Sequence, residues 1–312
     1  MINLRASNGA PDDVTPRHQN IKQLVNFIKV NSAGNAVIVF GDTYSRYTRS
    51  KDNIHLLTTQ TGLTDAWVQT IGGDPPAAGA DAMECPKGAP PNINCEVGDK
   101  VFYRGSPTIN LNSTGFFYDN SRFLSPKGDL LTDHNPVRVE FAYTLTNGLR
   151  QSKPYGGPHG TWFNDLASIP VSPKLKYVIL RGDQRLDRIT LALTSGQTFN
   201  HGGSGGHPYS LYMTEGEYVK SVKLCWGKTY EHTRIFYAQV STNWEKQVQA
   251  GNLTNDCATF TPPSEHAVVG TYGRSGSEVD QLGFIYAPVN VPPATTSTMS
   301  TRTIAPEPTN VY

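Results

Sequence analysis

Asp280 stands in the run Gly273-Arg274-Ser275-Gly276-Ser277-Glu278-Val279-Asp280-Gln281-Leu282-Gly283, with apolar Ala267-Val268-Val269 before it and Phe284-Ile285-Tyr286 after it. Glycine leaves backbone N–H groups bare, so the run offers donors beside a carboxylate acceptor, the arrangement that a pair of sugar hydroxyls requires. It also reads as a glycine-rich hairpin whose aspartate caps its own turn. A second set of groups lies far upstream. Asp42 follows Gly41 at the carboxyl end of the apolar run Ala36-Val37-Ile38-Val39-Phe40, where open sheets build their sites. Asp133-His134 joins a carboxylate to an imidazole just ahead of the extended run Val137-Arg138-Val139-Glu140-Phe141. Such a pair can ligate a metal and move a proton at a bound phosphate group. Both the Gly-Asp and the Asp-His patterns are also those of ordinary turns. His201, His207 and His232 lack metal-ligand spacing and read as loop or strand residues. No Gly-Lys-Ser/Thr follows the glycines at 202–206, which argues against a phosphate cradle.

The elements that must position these groups differ between the two halves of the chain. Pro16 and the stripe Ile21, Leu24, Val25 and Ile28 predict an amphipathic helix over 16–31, with Thr15 as its cap. Residues 36–40 form a continuous apolar run too short for a helix and predict a buried central strand. Residues 71–99, rich in Gly and Pro, predict a long surface loop, followed by a strand from Val101 with Asp99 just before it. From Tyr155 onward short alternating segments are separated by glycine turns, the pattern of an all-β barrel, sandwich or prism. Length and composition agree: 312 residues predict two domains, and 37% hydrophobic and 17% charged residues with 29 Gly and 22 Pro suit a turn-rich, mostly β protein. The net charge of +1 gives no broad attraction for nucleic acid or anionic membrane, and no apolar run is long enough for a membrane span.

The first half resembles the endonuclease/exonuclease/phosphatase superfamily over about residues 1–145, through the helix, the strand with Gly41-Asp42, Asp99-Lys100-Val101-Phe102, and Thr132-Asp133-His134-Asn135-Pro136-Val137. The resemblance implies an α/β partial four-layer sandwich, half of a DNase I-like fold. Asp42 would orient the attacking water or the phosphate, Asp133 would help hold Mg²⁺, and His134 would be the acid/base partner. The sequence departs from the pattern at Tyr44, where the family has an asparagine, and at Arg5, where it has a histidine. The superfamily's first half, with its metal-binding Asn and Glu, does not precede the helix. The expectation is therefore an inactive remnant with an apolar face left uncovered beside Phe40. The alternative is an active Mg-dependent phosphodiesterase or sphingomyelinase-like hydrolase.

Residues 155–288 resemble a jacalin-related lectin domain. The resemblance rests on Gly156-Gly157, Leu186-Asp187-Arg188-Ile189, the loop from His201 to Gly206, Gly216-Glu217-Tyr218-Val219, and Tyr272-Gly273-Arg274-Ser275-Gly276 through Asp280-Gln281-Leu282-Gly283-Phe284. It implies an all-β jacalin-like β-prism whose sugar loop is Gly276, Ser277, Glu278 and Asp280, with Gly157 facing it. Binding would need no cofactor. The unbroken passage from Pro154-Tyr155 into the Gly-Gly pair implies mannose or glucose rather than galactose. The loop carries no aromatic, so a stacking ring would come from elsewhere, with Tyr209 or Trp162 as candidates.

The expected organisation is thus a remnant domain over 1–145, a linker over 146–154, the lectin domain over 155–288 and a Pro/Thr/Ser-rich tail over 289–312. Expected partners are glycans or glycoproteins, with a homo-oligomer presenting several sites. Cys85 with Cys95 and Cys225 with Cys257 form two local pairs, which fit disulfides or free buried thiols alike. With the sequons at Asn112 and Asn252, they point to an extracellular protein although no signal peptide is present.

Overall fold

The computed structural model describes residues 1–7, 14–86, 88, 90, 92–146 and 148–289. The tail read over 289–312 lies, from Asn290 on, outside the described residues. In chain order the N-terminal region runs β1 (Ile2–Asn3), α1 (Thr15–Asn31), β2 (Val37–Asp42), α2 (Leu56–Thr61), β3 (Thr64–Asp65), α3 (Ala66–Thr70), β4 (Asp99–Arg104), β5 (Ile109–Tyr118) and β6 (Val137–Leu145). Ile21, Leu24, Val25 and Ile28 form the buried stripe of α1, with Pro16 in its first turn; Thr15 is already helical, and no side chain caps that end. The sheet order is β1-β2-β4-β3, so the apolar run ending at Phe40 is a central strand, parallel to β1 and antiparallel to β4.

Alternation along β2 sends Val37 and Val39 into a core shared with α1, Trp67 and Phe102. Its other face is less well covered, and Phe40 is 38% exposed there. The β5–β6 hairpin reaches the sheet through Phe141, whose ring meets Tyr103 edge-on at 5.2 Å.

The C-terminal region is all β among the described residues apart from a 3-10 turn at Asp165–Ser168. Its strands are β7 (Arg150–Gln151), β8 (Tyr155–Gly156), β9 (Thr161–Asn164), β10 (Leu175–Gly182), β11 (Leu186–Leu193), β12 (Thr198–Gly202), β13 (Pro208–Tyr212), β14 (Val219–Thr229), β15 (His232–Thr242), β16 (Gln247–Gly251), β17 (Asp256–Phe260), β18 (His266–Ser275) and β19 (Val279–Pro288). They form three sheets, ordered β12-β11-β10-β13, β16-β15-β14-β17 and β7-β19-β18-β9, with β8 also paired to β19. All three feed one core, with Leu180, Leu186 and Ile189 from the first, Val222, Leu224 and Ile235 from the second, and Val279, Leu282 and Phe284 from the third.

The third sheet starts inside the span read as a linker, because Arg150 and Gln151 pair with Tyr286 and Ile285 of β19. A two-residue strand has no periodicity to show in a sequence. The two regions also touch directly. Trp162 Nε1 donates to the Ala33 carbonyl (3.0 Å), Asn164 Nδ2 to Asn35 Oδ1 (3.2 Å), and Arg274 Nη2 to Asn31 Oδ1 (2.6 Å). Gly34, in the turn between α1 and β2, has φ +76°, and a Cβ there would lie 2.8 Å from the Asn164 amide. Both cysteine pairs are disulfides, Cys85–Cys95 and Cys225–Cys257, the second joining facing residues of β14 and β17.

Candidate functional sites

The first cluster is built by strand register. Asp42 ends β2 directly opposite Asp99 at the start of β4, so antiparallel pairing sets two carboxylates side by side at one edge of the sheet. Gly41 lets β2 approach the first segment, since a Cβ there would lie 2.0 Å from the Leu4 carbonyl oxygen. The loop before β6 then brings His134 in, its backbone N–H fixed on Thr132 Oγ1 at 3.1 Å. His134 Nδ1 lies 2.9 Å from Asp99 Oδ2 and 3.9 Å from Asp42 Oδ2. The hydrogen bond to Asp99 raises the His134 pKa against a smaller opposing effect of desolvation. Burial raises the Asp99 pKa, with the neighbouring Asp42 charge adding to it and His134 opposing.

These groups open onto a cavity of about 630 Å³ whose wall also includes Tyr44, Arg46, Arg49 and the disulfide residue Cys85. One ligand atom from each of Asp42, Asp99 and His134 falls within a 4.8 Å cluster. Asp133 sits differently: its side chain is 97% exposed, with Oδ1 4.0 Å from His134 Nε2. Asp99 was not singled out as a site residue from sequence, because only strand pairing carries it to Asp42; its place at the head of a strand was the available signal. Two carboxylate oxygens suit a hard divalent cation that keeps several waters, while the imidazole is engaged with Asp99 and suited to proton transfer.

The second cluster surrounds Asp280 at the β18–β19 turn, which is closed by Gly276 N–H donating to the Glu278 carbonyl at 2.9 Å. Asp280 is 2% exposed. Its Oδ1 accepts no hydrogen bond among the described residues and lies 3.2 Å from Arg234 Nη1. The same Nη1 is 3.4 Å from Glu278 Oε2, and Glu278 is gripped by Arg185 through Nε (2.8 Å) and Nη2 (2.7 Å). The Arg185 fork lowers the Glu278 pKa. Burial raises the Asp280 pKa, opposed by the charges of Arg234 and His159. The His159 and His232 rings stack at 4.0 Å beside it.

The Gly157 N–H donates to the Asp280 carbonyl at 2.8 Å. A Cβ at Gly157 would meet the Thr233 carbonyl at 2.4 Å, so its bareness serves close packing against β15. Gly160, which sequence reasoning missed, makes room for the carboxylate itself, because a Cβ there would lie 2.4 Å from Asp280 Oδ2. Ser277 rests its carbonyl against Gly203, where a Cβ would approach to 2.2 Å. Trp162 is committed to the contact with Ala33 and Tyr209 is an edge-strand residue 44% exposed. Tyr230, at the β14–β15 tip, is 93% exposed.

Comparison with known proteins places the C-terminal region. Residues 152–285 match the model of the jacalin-like lectin domain. Among solved structures, Malaysian banana lectin aligns with 24% identity and a TM-score of 0.40 over 45% of this chain and 99% of its own. A mannose binding jacalin related lectin from Ananas comosus gives the same identity, TM-score and coverage. Sphingomyelinases of Mycobacterium bovis and Mycobacterium tuberculosis are 38% identical over 128 residues, which is 41% of this chain and 25% of each enzyme. The chain thus spans a quarter of the length of those relatives. Secreted RxLR effector protein 19 of Plasmopara viticola is 24% identical over 143 residues, 43% of this chain and 78% of that protein. The C-terminal region of the chain, residues 152–285, is a jacalin-like lectin domain.

Proposed function

We propose that this chain is a carbohydrate-binding lectin for mannose- or glucose-type glycans. The observation that carries the reading is Asp280, a buried carboxylate at the turn of a jacalin-like domain whose Oδ1 accepts no hydrogen bond among the described residues and is ion-paired to Arg234. Asp280 accepts from two adjacent sugar hydroxyls, the backbone N–H groups at Ser277 and Glu278 donate back, and Gly276 and Gly157 hold the loop in place. Charge-assisted hydrogen bonds are worth about 1.5–3 kcal/mol each, so one site binds in roughly the micromolar to millimolar range. Several sites on a homo-oligomer or a multivalent glycan raise that by avidity. The intact passage from Pro154 through Gly157 supports mannose or glucose. Two disulfides support an extracellular setting, and no helix among the described residues is long and apolar enough to cross a membrane. The test is a glycan array on the wild type and Asp280→Ala. Mannose-type binding should vanish in the variant, and binding that survives the substitution sinks the assigned pocket.

The N-terminal region we read as half of an endonuclease/exonuclease/phosphatase-type domain without activity of its own, because Tyr44 replaces the carboxamide expected two residues after Asp42. A second reading is favoured by the Asp42–Asp99–His134 cluster in its cavity: a Mg-dependent phosphodiesterase or sphingomyelinase-like hydrolase directed to glycans by the lectin domain. Asp42 and Asp99 would hold the Mg²⁺, with Asp133 at the rim. The ion would polarise a phosphoryl oxygen. His134, oriented by Asp99, would transfer the proton between the attacking water and the leaving oxygen. Mg²⁺-dependent cleavage of bis-p-nitrophenyl phosphate or sphingomyelin that is lost in His134→Ala would establish the hydrolase. No turnover by the wild type would leave the lectin reading alone.

A further inference from the structure

Asp280 offers its buried oxygen to a guanidinium already present. Arg234 reaches from β15 across to the β18–β19 turn, with Nη1 3.2 Å from Asp280 Oδ1 and 3.4 Å from Glu278 Oε2. The Asp280 side chain is only 3% exposed beneath it, whereas Arg234 is 21% exposed at the mouth. Glu278 does not depend on Arg234, because Arg185 holds both its oxygens from the other side. Arg234 therefore bridges two carboxylates, its side chain more exposed than either of them.

We infer that Arg234 is the specificity-determining residue of this site, a resident cation that a neutral sugar must displace from Asp280 before its hydroxyls can bind. The inference rests on the reading of Asp280 as the sugar acceptor. Rotation of one long side chain toward Glu278 and solvent would release Oδ1 from its ion pair. A ligand with one hydroxyl in reach exchanges a charged donor for a neutral one and gains little. A ligand with two adjacent hydroxyls on the same carboxylate makes up the loss, so the arginine filters for vicinal pairs.

Displacing an ion pair with a neutral ligand leaves a signature that ordinary sugar binding lacks. Salt weakens the closed pair and stabilises the released charges, so affinity for an uncharged sugar rises with ionic strength. Methyl α-D-mannoside titrated calorimetrically into the full chain should show a Kd about 2- to 3-fold lower at 500 mM than at 50 mM NaCl. Arg234→Ala should lower the Kd about tenfold at low salt and abolish the salt response. Arg234→Lys, which keeps the charge, should keep the response. A wild type indifferent to salt, or an Arg234→Ala protein that binds equally or more weakly, overturns the inference, and the wild-type salt series decides even if the variant folds poorly. Binding that is lost in Asp280→Ala but unmoved by Arg234→Ala removes the arginine's role alone. Absence of binding by both wild type and Arg234→Ala removes the sugar site itself.

Discussion

Glu96→Ala should destabilise the N-terminal region by about 3–5 kcal/mol, the cost of leaving a buried charge without its partner. Glu96 is fully buried and accepts three hydrogen bonds, from Lys100 Nζ (2.7 Å), Tyr47 N–H (2.7 Å) and Thr48 Oγ1 (3.3 Å). Its ion-pair partner is as deep. The Lys100 side chain is 1% exposed and its ammonium lies against the rings of Tyr47 and Trp67, at 5.1 and 4.8 Å from their centroids. Without the carboxylate that ammonium must shed its proton or draw water in beside two buried rings, and the Tyr47 N–H loses its acceptor. Asp65 nearby gives limited relief, since it is already committed to the Tyr47 hydroxyl and to the first N–H groups of α3, and burial raises its pKa. Glu96→Gln keeps an acceptor for Tyr47 but not the charge, and should fall between wild type and alanine. Urea unfolding followed by far-UV dichroism would measure both. A loss below about 1 kcal/mol in the alanine variant would show that the network contributes no more than an exposed pair.

Asp165→Ala is expected to have the largest effect in the lectin domain, about 3 kcal/mol or more, because one carboxylate there serves three donors from two sheets. Asp165 is 4% exposed in the 3-10 turn after β9. Its Oδ2 accepts from Thr271 N–H (2.8 Å) and Thr271 Oγ1 (2.9 Å) on β18, and its Oδ1 lies 2.6 Å from His201 Nε2 on β12. The His201 ring is in turn stacked on Phe163 of β9 at 3.6 Å. Alanine strands a fully buried threonine backbone and hydroxyl and unties the first sheet from the third. Asp165→Asn retains one acceptor oxygen and should lose less. Thermal unfolding should show a lowered transition for the lectin domain while the transition of the N-terminal region stays in place. An unchanged lectin transition in Asp165→Ala would reject this staple.

The sequence declared what repeats and hid what pairs. The α1 stripe and the central β2 run were legible because each holds its period over a full element, and so were the alternating runs that became β10, β11, β14 and β15. β3, β7 and β8 span two residues each and leave no pattern. The candidate site residues divide in the same way. Asp42, His134 and Asp280 sit in local motifs, so their neighbours in sequence announce them. Asp99, Arg234 and Gly160 reach those groups only across strand register or between sheets. Asp133 stands next to His134 in sequence, yet in the bend ahead of β6 its side chain is turned to solvent.

The docking of β9 onto the turn after α1 has a geometric outcome. Trp162 and Asn164 hold Ala33 and Asn35, and the residues just before β9, His159 and Gly160, wall the Asp280 carboxylate. Only four residues separate the end of β6 from the start of β7, and Leu149 among them is buried. One strand therefore both joins the two regions and continues from the residues that wall Asp280. Its contacts tie the bearing of the N-terminal region to that strand, as a bracket aims a lamp, where a loose leash would leave it to sweep.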